Sequence, residues 1–310
     1  GASGTVYSAV QKDSGEKVAL KYCSIEELKE IKDEIAMQSL NRHPNVVSLY
    51  EAFITDDKIC LAMELMSGGD LFDRIGEKKS YDEADARGLC KKLLDAVSYC
   101  HDNNIAHCDM KPKNLLLRDE EDDAFIKLAD FGFATRVYGP KSLTKQCGTP
   151  FFVAPEILLK KKYDTQVDMW SVGILVYLLL SGDLPFVGRN QRQLFKAIVS
   201  GQFEFQEENW SDVSEAAKEM IRGLLVTDPD KRMTAKQVMA CKWMRSRGDL
   251  LRQHRLAGSQ QRLQTFNARM KIRSAMISVQ FLTGSTVWKS TASGLGNNEG
   301  GGRGSMMSPM

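Results

Sequence analysis

The sequence predicts an α+β chain with two lobes, a small β-rich N-terminal lobe and a larger, mainly α-helical C-terminal lobe. Through about residue 62, β-branched and polar residues alternate around one helical segment, which is typical of a small twisted sheet with one helix. From Leu71 to Trp243, apolar residues recur at three- and four-residue spacing, which indicates helices. The chain has 310 residues, 43% of them hydrophobic, enough for a substantial core in two lobes.

The C-terminal lobe has four stretches with a clear helical pattern. They are Ala84–His101, Asp164–Ser181, Gln191–Ser200 and Ser214–Leu225.

The seven cysteines are scattered, odd in number and without C-x-x-C spacing. This pattern indicates reduced thiols rather than a disulfide framework or a zinc site. We find no signal peptide and no apolar run long enough to span a bilayer. We therefore expect a protein of the cytoplasm or the nucleus, with no membrane span and no nucleic-acid partner.

One short stretch concentrates polar chemistry. Residues 107–114 read His-Cys-Asp-Met-Lys-Pro-Lys-Asn, and Asp-Phe-Gly follows at residues 130–132. The stretch places a carboxylate, an ammonium and an amide in one loop, and a second carboxylate lies on the next hairpin. Phosphoryl transfer needs such a set, because one carboxylate accepts the proton of the attacking hydroxyl while the other groups hold Mg²⁺ and the phosphoryl group.

In this order and spacing, the motifs resemble the catalytic loop and the metal-binding motif of eukaryotic protein kinases. The resemblance implies that Asp109 accepts the proton, Lys111 steadies the phosphoryl group, and Asn114 and Asp130 bind Mg²⁺. It also implies that Thr149 ties the substrate loop to Asp109. A lysine two residues after the catalytic aspartate resembles serine/threonine kinases rather than tyrosine kinases.

Other family positions form an ATP site. Residues 1–6 resemble the end of a glycine-rich phosphate loop, so we expect the N-terminal lobe to be truncated inside that loop. An unpaired ammonium in an apolar strand would be costly, which favours an ion pair between Lys21 and Glu34. The ATP-binding residues implied by the resemblance are Gly1, Gly4, Val6, Ala19, Lys21, Glu34, Met63, Glu64, Met66, Asp70, Leu116 and Asp130.

Three further positions resemble residues that support the family's active site. Glu156, in an Ala-Pro-Glu triplet, resembles the end of the activation segment, with Arg232 as its partner. Asp168 resembles the buried aspartate that braces the catalytic loop. An ordinary capping or surface carboxylate is the alternative for each acid.

An apolar stack is also implied by the alignment with the family. It contains Leu49, His107 and Phe131, but Gln38 falls at its fourth position. A buried amide without partners costs about 1–3 kcal/mol. Either a water or backbone group satisfies Gln38, or the active arrangement is less favoured in this chain, unless the alignment is one residue out of register.

The chain also departs from the family near the activation segment. Cys108 replaces the arginine that grips a phosphate on that segment, and Lys145 stands where many relatives carry the phosphoacceptor. Because both sides of one contact are lost, we expect the contact itself to be absent. Ser142 and Thr144 remain candidate acceptors, and Cys108 is either an inert buried thiol or a redox sensor.

Substrate preference follows from two positions. Asp70 stands where the family touches the ATP ribose and an arginine upstream of the acceptor, which predicts an Arg-x-x-Ser/Thr context. Lys113 replaces an acidic residue that often reinforces basic selection, so this preference is expected to be weakened.

Charge is unevenly distributed along the chain. Residues 1–241 hold 31 Lys/Arg and 38 Asp/Glu, a net charge of −7, whereas residues 242–273 hold nine basic residues and one acid, a net charge of +8. We therefore expect the basic segment to bind an acidic groove of its own chain.

The centre of that segment, residues 262–276, resembles the autoinhibitory and calmodulin-binding segment of calcium/calmodulin-dependent protein kinases. A basic amphipathic helix suits an acidic, Met-rich groove such as that of calmodulin. The residues implied are Phe266, Arg269, Lys271, Ile272, Arg273, Met276 and Phe281. A helix packed on the large lobe and a helix at a membrane surface are the alternatives. Ser259, Thr265 and Ser274 are candidate pseudosubstrate or autophosphorylation positions.

Four segments are therefore expected. They are the N-lobe at 1–66, the C-lobe at 67–246, the autoinhibitory helix at 247–282 and a disordered tail at 283–310. The predicted function is that of an ATP- and Mg²⁺-dependent serine/threonine protein kinase. Two alternatives are a pseudokinase scaffold, although all four of its usual marker residues (Lys21, Asp109, Asn114 and Asp130) are intact, and a calmodulin-binding adaptor.

Overall fold

A computed structural model describes residues 4–40, 42–55, 57–119 and 125–266. The N-terminal lobe is a four-stranded antiparallel sheet of order β1-β2-β4-β3 with one helix. Its elements are β1 (Gly4–Val10), β2 (Lys17–Ser24), α1 (Leu28–Leu40), β3 (Leu49–Ile54) and β4 (Lys58–Glu64).

The core of this lobe lies between the sheet and α1. Cys23, Ile31, Ile59 and Leu61 form a buried cluster, with exposures of 2% or less. Burying these apolar side chains fixes α1 against the sheet. The packing brings Glu34 of α1 next to Lys21 of β2.

The C-terminal lobe is mainly helical, as predicted. Its helices are α2 (Leu71–Glu77), α3 (Glu83–Asp102), α4 (Pro155–Leu158), α5 (Gln166–Ser181), α6 (Gln191–Ser200), α7 (Glu207–Trp210), α8 (Glu215–Leu224), α9 (Ala235–Met239), α10 (Lys242–Arg245) and α11 (Gly248–Leu251). The four helices predicted from periodicity are confirmed, each to within two residues at either end.

Four short strands lie between α3 and α4. They are β5 (Ile105–Ala106), β6 (Leu115–Leu117), β7 (Ile126–Leu128) and β8 (Thr135–Arg136). β5 pairs with β8, and β6 pairs with β7, each antiparallel. The two motifs occupy the links between these strands, residues 107–114 after β5 and residues 129–134 after β7, so the pairing brings them to the same region.

α5 is the central helix of this lobe, and all its residues from Val167 to Ser181 are buried. A helix that is apolar all round is stable only when other elements cover every face. Its first turn carries Asp168, which is therefore held in the interior beside His107 and Cys108.

The helix predicted for residues 247–282 is interrupted. Residues 252–256 separate α11 from a second helix over residues 257–266, because this stretch pairs with the start of α3 instead. Glu83 N donates to His254 O at 3.1 Å, and Leu256 N donates to Tyr81 O at 2.9 Å. The remainder of the predicted segment and the 283–310 tail lie outside the described residues. Among the described helices, none is both long and apolar enough to cross a membrane.

Candidate active site

Asp109 lies at the centre of the loop after β5, and its side chain is almost fully buried. Thr149 Oγ1 donates to Asp109 Oδ1 at 2.6 Å, and Lys111 Nζ donates to Asp109 Oδ2. Asn114 Nδ2 donates to the backbone oxygen of Asp109 at 2.8 Å. The carboxylate is thus held from both sides, by a cation of its own loop and by a hydroxyl of the segment that precedes α4.

The loop is braced from below by Asp168. Its carboxylate accepts hydrogen bonds from His107 N at 2.8 Å, Cys108 N at 2.9 Å and His101 Nε2 at 2.9 Å. Burial by itself raises the pKa of the Asp168 carboxyl, but the hydrogen bond and charge of His101 and the nearby His107 hold it below its ordinary value. These bonds also stabilise the left-handed backbone of Cys108, at φ 65°.

His107 connects the two motifs. Its Nδ1 accepts from Asp109 N at 3.3 Å, so its Nε2 carries the proton and donates to Ala129 O at 3.1 Å. The ring also meets Phe131 edge-on, with centroids 4.9 Å apart. The His107 ring therefore fixes the distance between the two loops.

Lys21 forms the upper side of the cleft. Its Nζ lies 2.7 Å from Glu34 Oε1 and 3.5 Å from Asp130 Oδ1. The side chains of Lys21 and Glu34 are only 9% and 2% exposed, whereas that of Asp130 is 42% exposed. One ammonium thus links α1 to the loop after β7, and the outer member of the trio faces solvent.

The pKa values in this trio follow from burial and charge. Burial alone lowers the pKa of Lys21, but the charges of Glu34 and Asp130 raise it above its ordinary value. Burial raises the pKa of Glu34 despite the neighbouring ammonium. Burial also acts to raise the pKa of the Asp130 carboxyl, yet the charges of Lys21 and Lys111 hold that pKa below its ordinary value. Asp130 therefore carries the better-stabilised negative charge.

Asn114 and Asp130 supply oxygen atoms of the kind that Mg²⁺ prefers. Ala129 N donates to Asn114 O at 2.9 Å, so the backbones that carry the two side chains are adjacent. Among the described residues, no group of three or more His, Cys, Asp or Glu could hold a metal ion. A pair of protein ligands fits Mg²⁺ bound together with phosphates, since this ion usually takes one or two carboxylates and completes its shell elsewhere.

The segment after β4 closes the back of the cleft. Met63 is paired opposite Ala19 across β2 and β4. Glu64 binds Lys127 Nζ through Oε2 at 2.6 Å.

Within the described residues, neither the N–H nor the C=O of Met66 takes part in a backbone hydrogen bond, so both are available to a ligand. Leu116 pairs with Asp70, whose carboxylate also caps α2 by accepting from Asp73 N at 2.9 Å; beside β2, Gly4 and Val6 lie on β1.

The structure brings the predicted partners Glu156 and Arg232 together and shows which group contacts Gln38. Arg232 Nη1 and Nη2 donate to Glu156 Oε1 and Oε2 at 2.8 and 3.0 Å, a bidentate pair in the interior. Gln38 Nε2 donates to Val47 O at 3.1 Å, so a backbone group satisfies its amide hydrogen, while its Oε1 has no partner among the described residues.

Some predicted positions are hidden or lie outside the described residues. Ser259 is 3% exposed and donates to Leu180 O, so in this conformation it is inaccessible as a phosphorylation site. Thr265 and Phe266 lie on the helix over residues 257–266. Outside the described residues are Gly1, Arg269, Lys271, Ile272, Arg273, Ser274, Met276 and Phe281.

Sequence reasoning missed three contributors. They are His101, which donates to Asp168, Lys127, which binds Glu64, and Tyr163, which contacts the activation segment. No motif marks these residues, because each partner lies 16 or more residues away along the chain.

Comparison with known proteins adds the following similarities. The family described as protein kinase domain matches residues 1–244. Myosin light chain kinase A of Dictyostelium discoideum is 41% identical over 251 residues, covering 79% of this chain and 85% of that protein. Calcium/calmodulin-dependent protein kinase type 1 of Macrobrachium nipponense is 40% identical over 239 residues, covering 76% of this chain and 69% of that protein. Calcium/calmodulin-dependent protein kinase type IV of Mus musculus is 40% identical over 281 residues, covering 90% of this chain but only 60% of that protein.

Proposed function

The chain belongs to the protein kinase family and is a serine/threonine protein kinase, and from that premise we propose which of its residues transfer the ATP γ-phosphate. The observation that carries the proposal is the placement of Asp109 between Lys111 and Thr149, with Asp130 beside Lys21 across the cleft. Protein substrates and ATP use follow from the family, and the role of each residue is the proposal.

Asp109 takes the proton of the substrate hydroxyl. As that O–H bond breaks, the hydroxyl oxygen forms a bond to the γ-phosphorus, the bond from phosphorus to the β-phosphate oxygen breaks, and ADP leaves. Thr149 and Lys111 fix the orientation of the carboxylate, which favours in-line attack because the acceptor is already positioned. Lys111 also places positive charge beside the transferring group.

Lys21 orients the α- and β-phosphates through the ammonium that Glu34 holds in place. Asn114 and Asp130 would hold Mg²⁺, which when bound neutralises phosphate charge. The backbone groups of Met66 would meet the adenine edge. These assignments leave each side chain where it already lies.

Two substitutions test the assignment. Asp109→Asn removes the proton acceptor and is expected to lower kcat by about 10²–10⁴-fold while ATP binding persists. Asp130→Asn is expected to abolish transfer and to weaken ATP binding in the presence of Mg²⁺. Radiolabelled transfer to a protein substrate and titration with a non-hydrolysable ATP analogue measure the two effects.

Asp13→Asn, an exposed carboxylate in the turn after β1, is the matched control and should match the wild type. Thermal unfolding checks that the active-site variants remain folded. Undiminished transfer by folded Asp130→Asn protein would contradict the proposal.

We further propose that the basic C-terminal segment restrains the kinase and that calmodulin releases it. The match to the type IV kinase covers 90% of the chain, so it extends beyond the 244 residues of the family match into this segment. The helix over residues 257–266 rests on the C-lobe: Arg262 Nε donates to Ser181 O at 2.6 Å, and Gln264 donates to Gly76 O. These contacts anchor the middle of the basic segment.

Truncation tests this regulation. Removing residues 267–310 is expected to raise activity without Ca²⁺ several-fold, while removing only 283–310 should not. Cutting at residue 250 would be a poorer test, because Leu251 and Leu256 are buried and support α3. Unchanged activity after the 267–310 truncation, together with no calmodulin binding by calorimetry, would exclude the regulatory proposal.

A further inference from the structure

A chain of neutral polar groups connects the catalytic loop to the activation segment. It consists of the Cys108 thiol, the Cys147 thiol, the Tyr163 phenol and the backbone carbonyl of Lys145, and we call it the thiol–phenol chain. The three side chains belong to residues that are 7%, 4% and 2% exposed, so solvent scarcely competes for their hydrogen bonds.

Two hydrogen bonds hold the Tyr163 phenol in place. Tyr163 Oη donates to Lys145 O at 2.6 Å and lies 3.3 Å from Cys147 Sγ. Since the phenol proton points to Lys145, the Cys147 thiol donates either to Tyr163 Oη or to Lys145 O, which lies 3.6 Å from its sulfur. The Cys108 thiol neighbours Cys147, and this neighbour raises the Cys108 pKa.

The backbones that carry these groups also approach one another closely. A Cβ at Gly148, where φ is +104°, would lie 2.9 Å from the carbonyl oxygen of Cys108, so only glycine allows this approach. The next residue, Thr149, donates to Asp109. On the other side, Leu143 and Tyr163 exchange two backbone hydrogen bonds, at 2.9 and 3.0 Å. Cys147, a member of the thiol–phenol chain, thus lies two residues from the hydroxyl that orients the catalytic carboxylate.

Cys108 offers no positive charge to a phosphate on the activation segment. The neighbouring Cys147 thiol and burial raise the pKa of the Cys108 thiol, so it stays neutral. Ser142 and Thr144 are exposed on the segment and do not belong to the thiol–phenol chain.

We propose that Tyr163 and Cys147 are positioning residues that hold Thr149 against Asp109. The activation segment can then bind protein substrate while it carries no phosphate. The inference rests on the proposed function. It predicts that wild-type protein shown by intact mass to carry no phosphate is already active, and that phosphatase treatment does not lower its rate.

Tyr163→Phe keeps the ring and removes both hydrogen bonds of the phenol. We expect kcat/KM for a protein substrate to fall about tenfold, mainly through a higher KM, because one or two hydrogen bonds are lost. The KM for ATP should be unchanged, since the nucleotide contacts lie elsewhere. Tyr138→Phe is the matched control, because Tyr138 is 86% exposed.

A second pair of variants separates positioning from folding. Cys147→Ala breaks the thiol–phenol chain and should reproduce the loss, whereas Cys147→Ser keeps a donor and acceptor and should retain most of the activity. Equal melting temperatures show that the variants are folded.

Three results would overturn the inference while leaving the proposed function intact. These are wild-type kinetics for both Tyr163→Phe and Cys147→Ala, equal losses for Cys147→Ser and Cys147→Ala, or inactivation of the wild type by phosphatase. If the wild type transfers no phosphate to any substrate under any treatment, the proposed function itself fails.

Discussion

Two buried ion pairs of this kinase use the same chemistry in different ways. Arg232 grips both oxygens of Glu156, and it also donates from Nε to Val226 O at 3.0 Å and from Nη1 to Gln166 O at 2.6 Å. Lys21 touches only one oxygen of Glu34, and Glu34 Oε2 has no hydrogen-bond partner among the described residues.

We call the Arg232–Glu156 pair closed, because its polar atoms are taken up by protein partners, and the Lys21–Glu34 pair open, because it keeps an unpartnered oxygen among the described residues. Arg232 uses four of its five N–H donors on a carboxylate and two carbonyls, and its side chain is fully buried, so it is closed to a ligand. An ammonium has three donors, of which Lys21 uses one in its hydrogen bond to Glu34 within the described residues, while Asp130 Oδ1 lies 3.5 Å away as an ion-pair partner. Incomplete pairing is costly in the interior, and here it coincides with the place where ATP phosphates are proposed to bind.

The largest expected effect on stability is that of Arg232→Met. It leaves Glu156 buried without a cation, which should lower the free energy of unfolding by about 3–5 kcal/mol. Urea unfolding measures this, with exposed Arg192→Met as the control. A loss below about 1 kcal/mol would show that the closed pair is not needed for the fold.

Lys21→Met should lower activity more than it lowers stability. Because burial already raises the pKa of Glu34, its carboxyl can take up a proton when Lys21 is lost, so destabilisation should be smaller than for Arg232→Met. Phosphoryl transfer, in contrast, should fall at least about 100-fold, since the phosphates lose an oriented cation. Comparable destabilisation by the two substitutions would contradict the distinction between open and closed pairs.

Acid titration extends the comparison to Asp168, a third buried carboxylate. Its pKa is lowered in the folded state, so its charge stabilises the fold above the ordinary pKa of about 3.9, and this contribution is lost as pH falls through the lower folded value. Asp168→Asn should therefore destabilise the protein most near neutral pH, and the difference from the wild type should shrink below about pH 4. Unfolding curves between pH 7 and pH 3 measure this difference, and a constant difference would mean that charge is not the cause.

The smallest expected effect is that of Gln38→Met. The substitution removes an unpartnered buried oxygen but also the donor to Val47 O, and the two changes oppose each other. We expect a change within about 1 kcal/mol in unfolding free energy and little change in kcat. A gain of several-fold in kcat would instead mean that Gln38 disfavours the active arrangement.

Much of the site could be predicted because its residues are close in sequence or follow a strong physical constraint. Asp109, Lys111 and Asn114 share one loop, so their spacing alone brings them together. Lys21 needed a buried anion, which led to Glu34. The thiol–phenol chain could not be predicted in this way, since Tyr163 lies 16 residues from Cys147 and neutral groups give no comparable signal.

The sequence by itself determined the two-lobed α+β architecture, the four long helices of the C-lobe and the group of polar residues expected to act together, because periodicity and motif spacing are local properties. Tertiary structure alone decided that residues 252–256 interrupt the C-terminal helix, that Ser259 is buried, and that two thiols and a phenol join the catalytic loop to the activation segment. Each of these depends on contacts between distant parts of the chain, and such contacts form only when the packed core has fixed which surfaces meet.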